Sequence, residues 1–340
     1  MKELRFGIIG TGFWSRYQLA AWREVPGARC VALCNRTRPK ADALGREFGI
    51  PAVYQDAETM LDREKLDFID IITDAGTHQH FTEIGARHHV PVICQKPLAP
   101  SLAEAEQMIA TCRDAGVPLS VHENWRWQAP IRALKKALQS GEIGEVFRAR
   151  IDYCNSFPVF DNQPFLKELE QFILMDMGTH ILDVARFLFG EATRVYCQTH
   201  KVHPDIRGED AATVVMKMQS GSTVTCNLSY ASRVEHDRFP EAFVLIEGSK
   251  GSLELSHDFW IRMTTQEGTH AHRSPPPFYA WADARYALVH SSIVDCHRDL
   301  LQALQTGTAP ETSGDDNLRT LKLVFAAYDS AARKQVVSTL

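Results

Sequence analysis

The sequence predicts an α/β fold in two parts: a helix-covered parallel sheet over residues 1–122, and an α+β region over 123–340 built on a largely antiparallel open sheet. Three observations carry that reading. Up to about residue 122, short continuous apolar runs alternate with helix-spaced segments, the pattern of βαβ units whose strands are covered on both faces. The first of those runs, residues 4–9, leads straight into Gly10-Thr11-Gly12, a glycine turn between a strand and a helix. Beyond 123, residues 223–230 alternate polar and apolar side chains, which marks a strand with one face buried in an antiparallel sheet.

Taken in order, strands are expected at 4–9, 30–34, 68–73, 92–94 and 119–121, with helices at 14–25, 38–48, 79–89 and 101–115. Ser101-Leu102-Ala103-Glu104 has the form of a capping box, a hydroxyl for a first-turn N–H followed by a carboxylate three residues on. In the second part a helix is expected near 130–140 and strands near 146–154, 194–200, 211–218, 222–230 and 242–247. Two helices, about 284–306 and 315–334, close the chain. Gln219-Ser220-Gly221-Ser222 and the stretch from Glu247 to Gly251 read as hairpin turns. Pro275-Pro276-Pro277 is a stiff surface loop, and no internal repeat is visible.

At 340 residues the length suits two domains. With 44% apolar and 23% charged residues, the composition is that of an ordinary globular protein. A net charge of −5 excludes the basic footprint of a nucleic-acid binder. The longest apolar runs are strand-length, well short of the ~20 residues of a membrane span, so no membrane partner is expected. A strand begins almost at the first residue, which leaves no room for a signal peptide. The eight cysteines contain no C-x-x-C pair and read as reduced thiols, so the expected location is cytoplasmic. His78-x-His80 and His270-x-His272 lack a nearby cysteine or carboxylate, and no metal site is expected.

The glycine turn continues as Gly10-Thr11-Gly12-Phe13-Trp14-Ser15, with serine at the third position of the G-x-G-x-x-G fingerprint. That position needs only a small residue for helix–strand packing, while Gly10 allows the tight turn and Gly12 lets a pyrophosphate approach. The start of the next helix supplies N–H groups and a favourable dipole, so Gly10, Gly12, Phe13 and Trp14 are candidate dinucleotide contacts. The second strand should end beside the adenosine ribose, at Cys34-Asn35-Arg36-Thr37-Arg38. A carboxylate for the ribose hydroxyls is missing there. Asn35 is neutral, and Arg36 and Arg38 can grip a 2′-phosphate, which on residues alone favours NADP over NAD. In the alternative, Asn35 bonds the ribose and the arginines cover adenine or face water.

The chemistry is expected elsewhere. Lys96 sits between an apolar strand and Pro97, at the strand end where such folds place reactive groups. Asp176 and His180 are four residues apart, on one face of a helix. Each alone has an ordinary reading, as a strand-end lysine, a helix cap or a buried histidine. Together they suit alcohol oxidation, with histidine as base, an ammonium beside the developing alkoxide, and a carboxylate to orient hydroxyls or the imidazole.

Over nearly its whole length the chain resembles the Gfo/Idh/MocA family of sugar and polyol oxidoreductases. The resemblance rests on Gly7-Ile8-Ile9-Gly10-Thr11-Gly12, the run from Thr73 to His78, Gln95-Lys96-Pro97, and Asp176 with His180. The family's usual Glu-Lys-Pro and Thr-Pro-Asn appear here with Gln95 and Asp74 substituted. The likeness implies that Lys96, Asp176 and His180 are catalytic and that Thr73, His78, Gln95, Lys96 and Asn124 line the nicotinamide half of the cofactor. It also implies a cis Lys96–Pro97 bond and a homodimer or homotetramer formed through the second sheet. The segments 12–17, 121–128 and 160–165 resemble a narrower branch, the D-apiose dehydrogenases, which implies oxidation of a furanose C1 hydroxyl to a lactone with NAD. On this point the branch likeness opposes the residue-level preference for NADP. NAD is the cofactor expected, with NADP the alternative. Trp125, Phe160 and Gln163 are candidate sugar contacts beside Lys96, Asp176 and His180. Two other functions fit the same motifs: dehydrogenation of another sugar or polyol, and a non-catalytic dinucleotide-binding regulator.

Overall fold

A computed structural model describes residues 3–235 and 239–339. The chain divides into two compact units. The first comprises residues 1–124, 279–284 and 290–319, and the second 125–278, 285–289 and 320–340. The expected second part, 123–340, is therefore not one stretch, because the chain returns to the first unit twice near its end.

The first unit holds a six-stranded parallel sheet. Its elements run β1 (Leu4–Ile9), α1 (Phe13–Trp22), β2 (Ala28–Cys34), α2 (Arg38–Phe48), β3 (Ala52–Tyr54), α3 (Ala57–Arg63), β4 (Phe68–Ile71), α4 (His78–Arg87), β5 (Val92–Gln95), α5 (Leu102–Asp114) and β6 (Leu119–His122). The strand order is β3-β2-β1-β4-β5-β6, so the chain reverses its winding direction between β1 and β4. That reversal opens a crevice at the carboxyl ends of the strands, where Gly10, Thr73 and Lys96 follow β1, β4 and β5. Ser101 caps α5 as its sequence predicts, its hydroxyl accepting from the Glu104 amide at 3.2 Å.

The second unit contributes α6 (Ala129–Gln139), β7 (Val146–Cys154), the short α7 (Val159–Asn162), α8 (Thr179–Phe189), β8 (Ala192–His200), β9 (Ala211–Met218), β10 (Thr223–Ser229), β11 (Phe243–Gly248), β12 (Gly251–Ser256), β13 (Trp260–Thr265), β14 (Gly268–Arg273) and the two-residue β15 (Val337–Ser338). Its nine strands are ordered β14-β13-β12-β11-β7-β10-β9-β8-β15. All neighbours are antiparallel except β7 with β10. The alternation read in 223–230 is present: Val224, Cys226 and Leu228 are buried in the core, which continues through Ile151, Tyr153 and Ile246 to the inner face of α8. Two helices are shared between the units. α9 (Ala287–Thr306) belongs to the first from His290 onward, and α10 (Gly314–Arg333) to the second from Thr320 onward.

All eight cysteines are free thiols. No helix among the described residues is long and apolar enough to cross a membrane.

Candidate active site

In the first unit the glycine turn is dictated by space. Gly10 has φ +98°, and a Cβ there would stand 2.2 Å from the Ile72 carbonyl oxygen, so only glycine fits. Nothing lies within 4 Å of a Cβ built on Gly12, which leaves the turn open toward α1. No side chain caps α1 at Gly12, and the buried Thr11 hydroxyl has no protein partner. These orphaned donors and the open approach fit a dinucleotide pyrophosphate. Ser15, at the third fingerprint position, is fully buried and donates to the Gly10 carbonyl at 2.8 Å, fastening the helix to the turn. Phe13 is exposed and meets Tyr17 edge-on, and Trp14 tilts against Tyr17 and His290.

Asn35 ties the end of β2 to the turn. Its Oδ1 accepts from the Thr11 amide at 3.3 Å and its Nδ2 donates to the Thr37 carbonyl at 3.0 Å. Arg36 and Arg38 are exposed, and Arg38 pairs with Asp42 one turn on. After β4, the Thr77 hydroxyl donates to Thr73 Oγ1 at 2.8 Å. His78 is fully buried, with Nε2 3.0 Å from the Thr73 carbonyl and Nδ1 3.1 Å from those of Pro97 and Leu98. Burial lowers its pKa, and the neutral ring has a single N–H to donate, to the Thr73 carbonyl on one side or to those of Pro97 and Leu98 on the other. The Lys96–Pro97 bond is cis. Gln95, expected beside the nicotinamide, turns its amide into the interior, donating to Gln18 and accepting from the Lys96 amide, each at 2.7 Å. Asn124 is buried and donates to Ser292 Oγ at 2.7 Å.

Beneath Gln18 lies Asp70, fully buried on β4. It accepts from Trp22 Nε1 at 2.9 Å and Gln18 Nε2 at 3.2 Å, and no cation pairs with it among the described residues. Burial pushes its pKa up to about 7, against about 3.9 in an unfolded chain. The folded state thus holds the proton more tightly. The stability this group contributes is fully present below about pH 4 and is lost as pH rises through 7. Asp70→Asn removes that dependence. Between pH 5 and 8 the wild type is expected to lose about 2–3 kcal/mol relative to the variant, read as diverging urea midpoints.

In the second unit, the segment before α8 is a π-helical turn over Leu174–Gly178 that runs directly into the helix. Such turns are rare and cluster at functional sites. Asp176 sits within it, and the Tyr230 hydroxyl donates to Asp176 Oδ2 at 3.3 Å. His180 lies in the first turn of α8, its imidazole stacked on Trp125 with centroids 4.9 Å apart and planes 18° apart. Trp125 meets Tyr153 edge-on, and Tyr153 meets Tyr230 in the same way. His180, Trp125 and Asp176 are thus linked through one aromatic cluster. Phe160 packs against Phe172 and His203, and Phe172 stacks on Tyr230, so Phe160 joins the same cluster at its far edge. Gln163 stands half-buried at the end of α7, where its backbone closes the turn.

What holds the Trp125–His180 pair has no motif in the sequence. Arg126, the next residue after Trp125, forks onto Asp183 of α8 at 2.8 and 2.5 Å, with Asp183 fully buried. Thr320 of α10 donates to the same carboxylate at 2.9 Å. Glu209 fastens the approach to the π turn, accepting from the amides of Phe172 and Leu174 and from the Tyr328 hydroxyl. The available signal was a pair of charged residues, Asp183 and Arg186, three apart in a mostly apolar helix.

Comparison with known proteins matches residues 4–123 to the model of an oxidoreductase family with an NAD-binding Rossmann fold, and residues 131–254 to the GFO/IDH/MocA C-terminal domain. The chain belongs to the Gfo/Idh/MocA family of oxidoreductases. Its first unit is accordingly an NAD-binding Rossmann domain. The chain is 44% identical over 337 residues to a D-apiose dehydrogenase of Paraburkholderia graminis, covering 99% of this chain and 90% of the relative. It is 40% identical to a D-apiose dehydrogenase of Rhizobium rhizogenes, covering 99% and 98%. Among solved structures, an oxidoreductase from Agrobacterium radiobacter in complex with NAD+, L-tartaric acid and magnesium superposes with a TM-score of 0.97 at 39% identity, over 99% of each chain.

Proposed function

We propose that this family member is an NAD-dependent sugar dehydrogenase that oxidises the C1 hydroxyl of D-apiose in its furanose form, giving D-apionolactone. The observation that carries the reading is the full-length similarity to two D-apiose dehydrogenases, combined with a glycine turn shaped for a pyrophosphate. The match of residues 4–123 to an NAD-binding family supports NAD as the cofactor, and Asn35 serves the turn by accepting from the Thr11 amide.

When bound, NAD supplies the acceptor for the hydride that leaves the sugar carbon. In this reading His180 takes the hydroxyl proton, Lys96 opposes the developing alkoxide charge, and Asp176 orients the sugar hydroxyls. The stacked Trp125 fixes the imidazole plane. The Tyr230 hydroxyl donates to Asp176 Oδ2 and helps to hold the carboxylate in place. Trp125, Phe160 and Gln163 are assigned to the sugar side of the site. Gly10, Gly12, Phe13, Trp14, Asn35, Arg36, Arg38, Thr73, His78, Gln95, Lys96 and Asn124 are assigned to the cofactor side. The active form is read as a cytoplasmic homodimer or homotetramer assembled on the open face of the nine-stranded sheet. There Thr213, Asn227 and Asp152 form a hydrogen-bonded row across three strands.

The test is NADH formation by purified protein with D-apiose, against a panel of aldoses and inositols, with NAD and NADP supplied separately. Turnover of D-apiose with NAD at the highest kcat/KM of the panel is expected. Faster turnover of another polyol would remove D-apiose. No turnover of any panel member, with tight NAD binding, would favour a regulator.

A further inference from the structure

Four side chains of the first unit form one buried chain of hydrogen bonds that ends at the backbone of Lys96. Trp22 Nε1 and Gln18 Nε2 donate to Asp70, Gln95 Nε2 donates to Gln18 Oε1, and the Lys96 N–H donates to Gln95 Oε1. The two ends fix the direction of everything between them. An ionised carboxylate can only accept, and a backbone N–H can only donate. Each intervening amide must therefore show its NH2 toward Asp70 and its oxygen toward Lys96. Reversing either amide sets donor against donor or acceptor against acceptor in a buried place, where a missing partner is costly.

We propose that Asp70 is a positioning residue for Lys96: its carboxylate, acting through Gln18 and Gln95, sets the polarity of the hydrogen bonds that orient the Lys96 backbone. The inference rests on the reading of Lys96 as a catalytic group. No cation pairs with Asp70 among the described residues. The titratable groups around it are the thiols of Cys30 and Cys94, both pushed up by burial, and His297, kept neutral by burial and stacked on Trp22. Ionised above about pH 7, the carboxylate is then a buried charge with no cation beside it among the described residues, and orienting the amides gives that costly charge a use. The neutral Gln95, where the family's usual motif carries glutamate, is the residue that lets the charge stand at the other end of the chain.

The test moves the charge. Asp70→Asn removes the charge that forces Gln18 to donate, because the introduced amide can either accept from Gln18 or donate to it, and kcat is expected to fall about tenfold while KM for NAD stays within twofold. Gln95→Glu places a second carboxylate against Gln18 Oε1 and is expected to lower kcat to a similar degree. The double variant D70N/Q95E restores a consistent chain of opposite polarity. The introduced asparagine donates to Gln18, and Gln18 donates to the introduced glutamate, which still accepts from the Lys96 amide. This variant is expected to recover kcat to within about threefold of wild type. Thermal melting and NAD titration of all three variants establish that they are folded.

Unchanged kcat in D70N, or no recovery in the double variant although it folds and binds NAD, would overturn the proposal. Lys96→Ala measured in parallel separates the two claims. If it retains activity the catalytic reading itself fails, whereas its inactivity beside a fully active D70N removes only the relay.

Discussion

Lys96→Ala and His180→Ala are each expected to lower kcat on D-apiose by about 10²–10⁴-fold, the range for losing a positioned general base or a charge-stabilising donor. NAD binding should survive in His180→Ala, because the turn that holds the pyrophosphate depends on Gly10, Gly12 and Ser15, whereas Lys96→Ala, at a residue assigned to both sides of the site, is expected to weaken NAD binding far less than it lowers kcat. Steady-state kinetics with separate NAD titration checks this. A variant losing NAD affinity and activity in step would place its residue in cofactor binding.

Asp183→Ala carries the largest expected effect on stability. It leaves the Arg126 guanidinium buried without its carboxylate and removes the acceptor of Thr320. Breaking a buried pair from one side typically costs about 3–5 kcal/mol, against about 0–1 for a surface pair such as Arg38–Asp42. A drop of several degrees in Tm is expected. Replacing both partners, Arg126→Met with Asp183→Leu, should recover much of it, because the other guanidinium near Asp183, that of Arg186, keeps Glu191 as its partner. An Asp183→Ala variant as stable as wild type would mean that water reaches the guanidinium and the pair does not hold α8.

The fold was legible where residue patterns are local. The strand ending at Ile9, the turn at Gly10, the Ser101 cap and the alternation of 223–230 all stand as the sequence implies. β3 was missed because Ala52-Val53-Tyr54 is too short to show a period. β14 was missed because every residue from Gly268 to Arg273 is exposed, leaving no apolar face to read. The return of residues 290–319 to the first unit depends on contacts such as His297 on Trp22, which chain order does not reveal. The parallel pairing of β7 with β10 is likewise a choice of neighbour that alternation cannot specify.

The candidate site divides in the same way. Lys96, Asp176 and His180 stood out because charged or titratable groups interrupt apolar segments. Their support did not. Gln18 and Gln95 look like ordinary polar residues until their amides are seen end to end, and Arg126 reads as a surface arginine until Asp183 meets it in the interior. The π turn that carries Asp176 has no sequence signature.

The central claim is hydride transfer from the anomeric carbon of D-apiose to NAD, and deuterium at that carbon tests it most directly. With C1-deuterated D-apiose and NAD, the reduced cofactor should carry one deuterium, the sugar should appear as the lactone, and single-turnover reduction should slow. Unlabelled NADH formed from the deuterated sugar would place the oxidised carbon elsewhere and contradict the account.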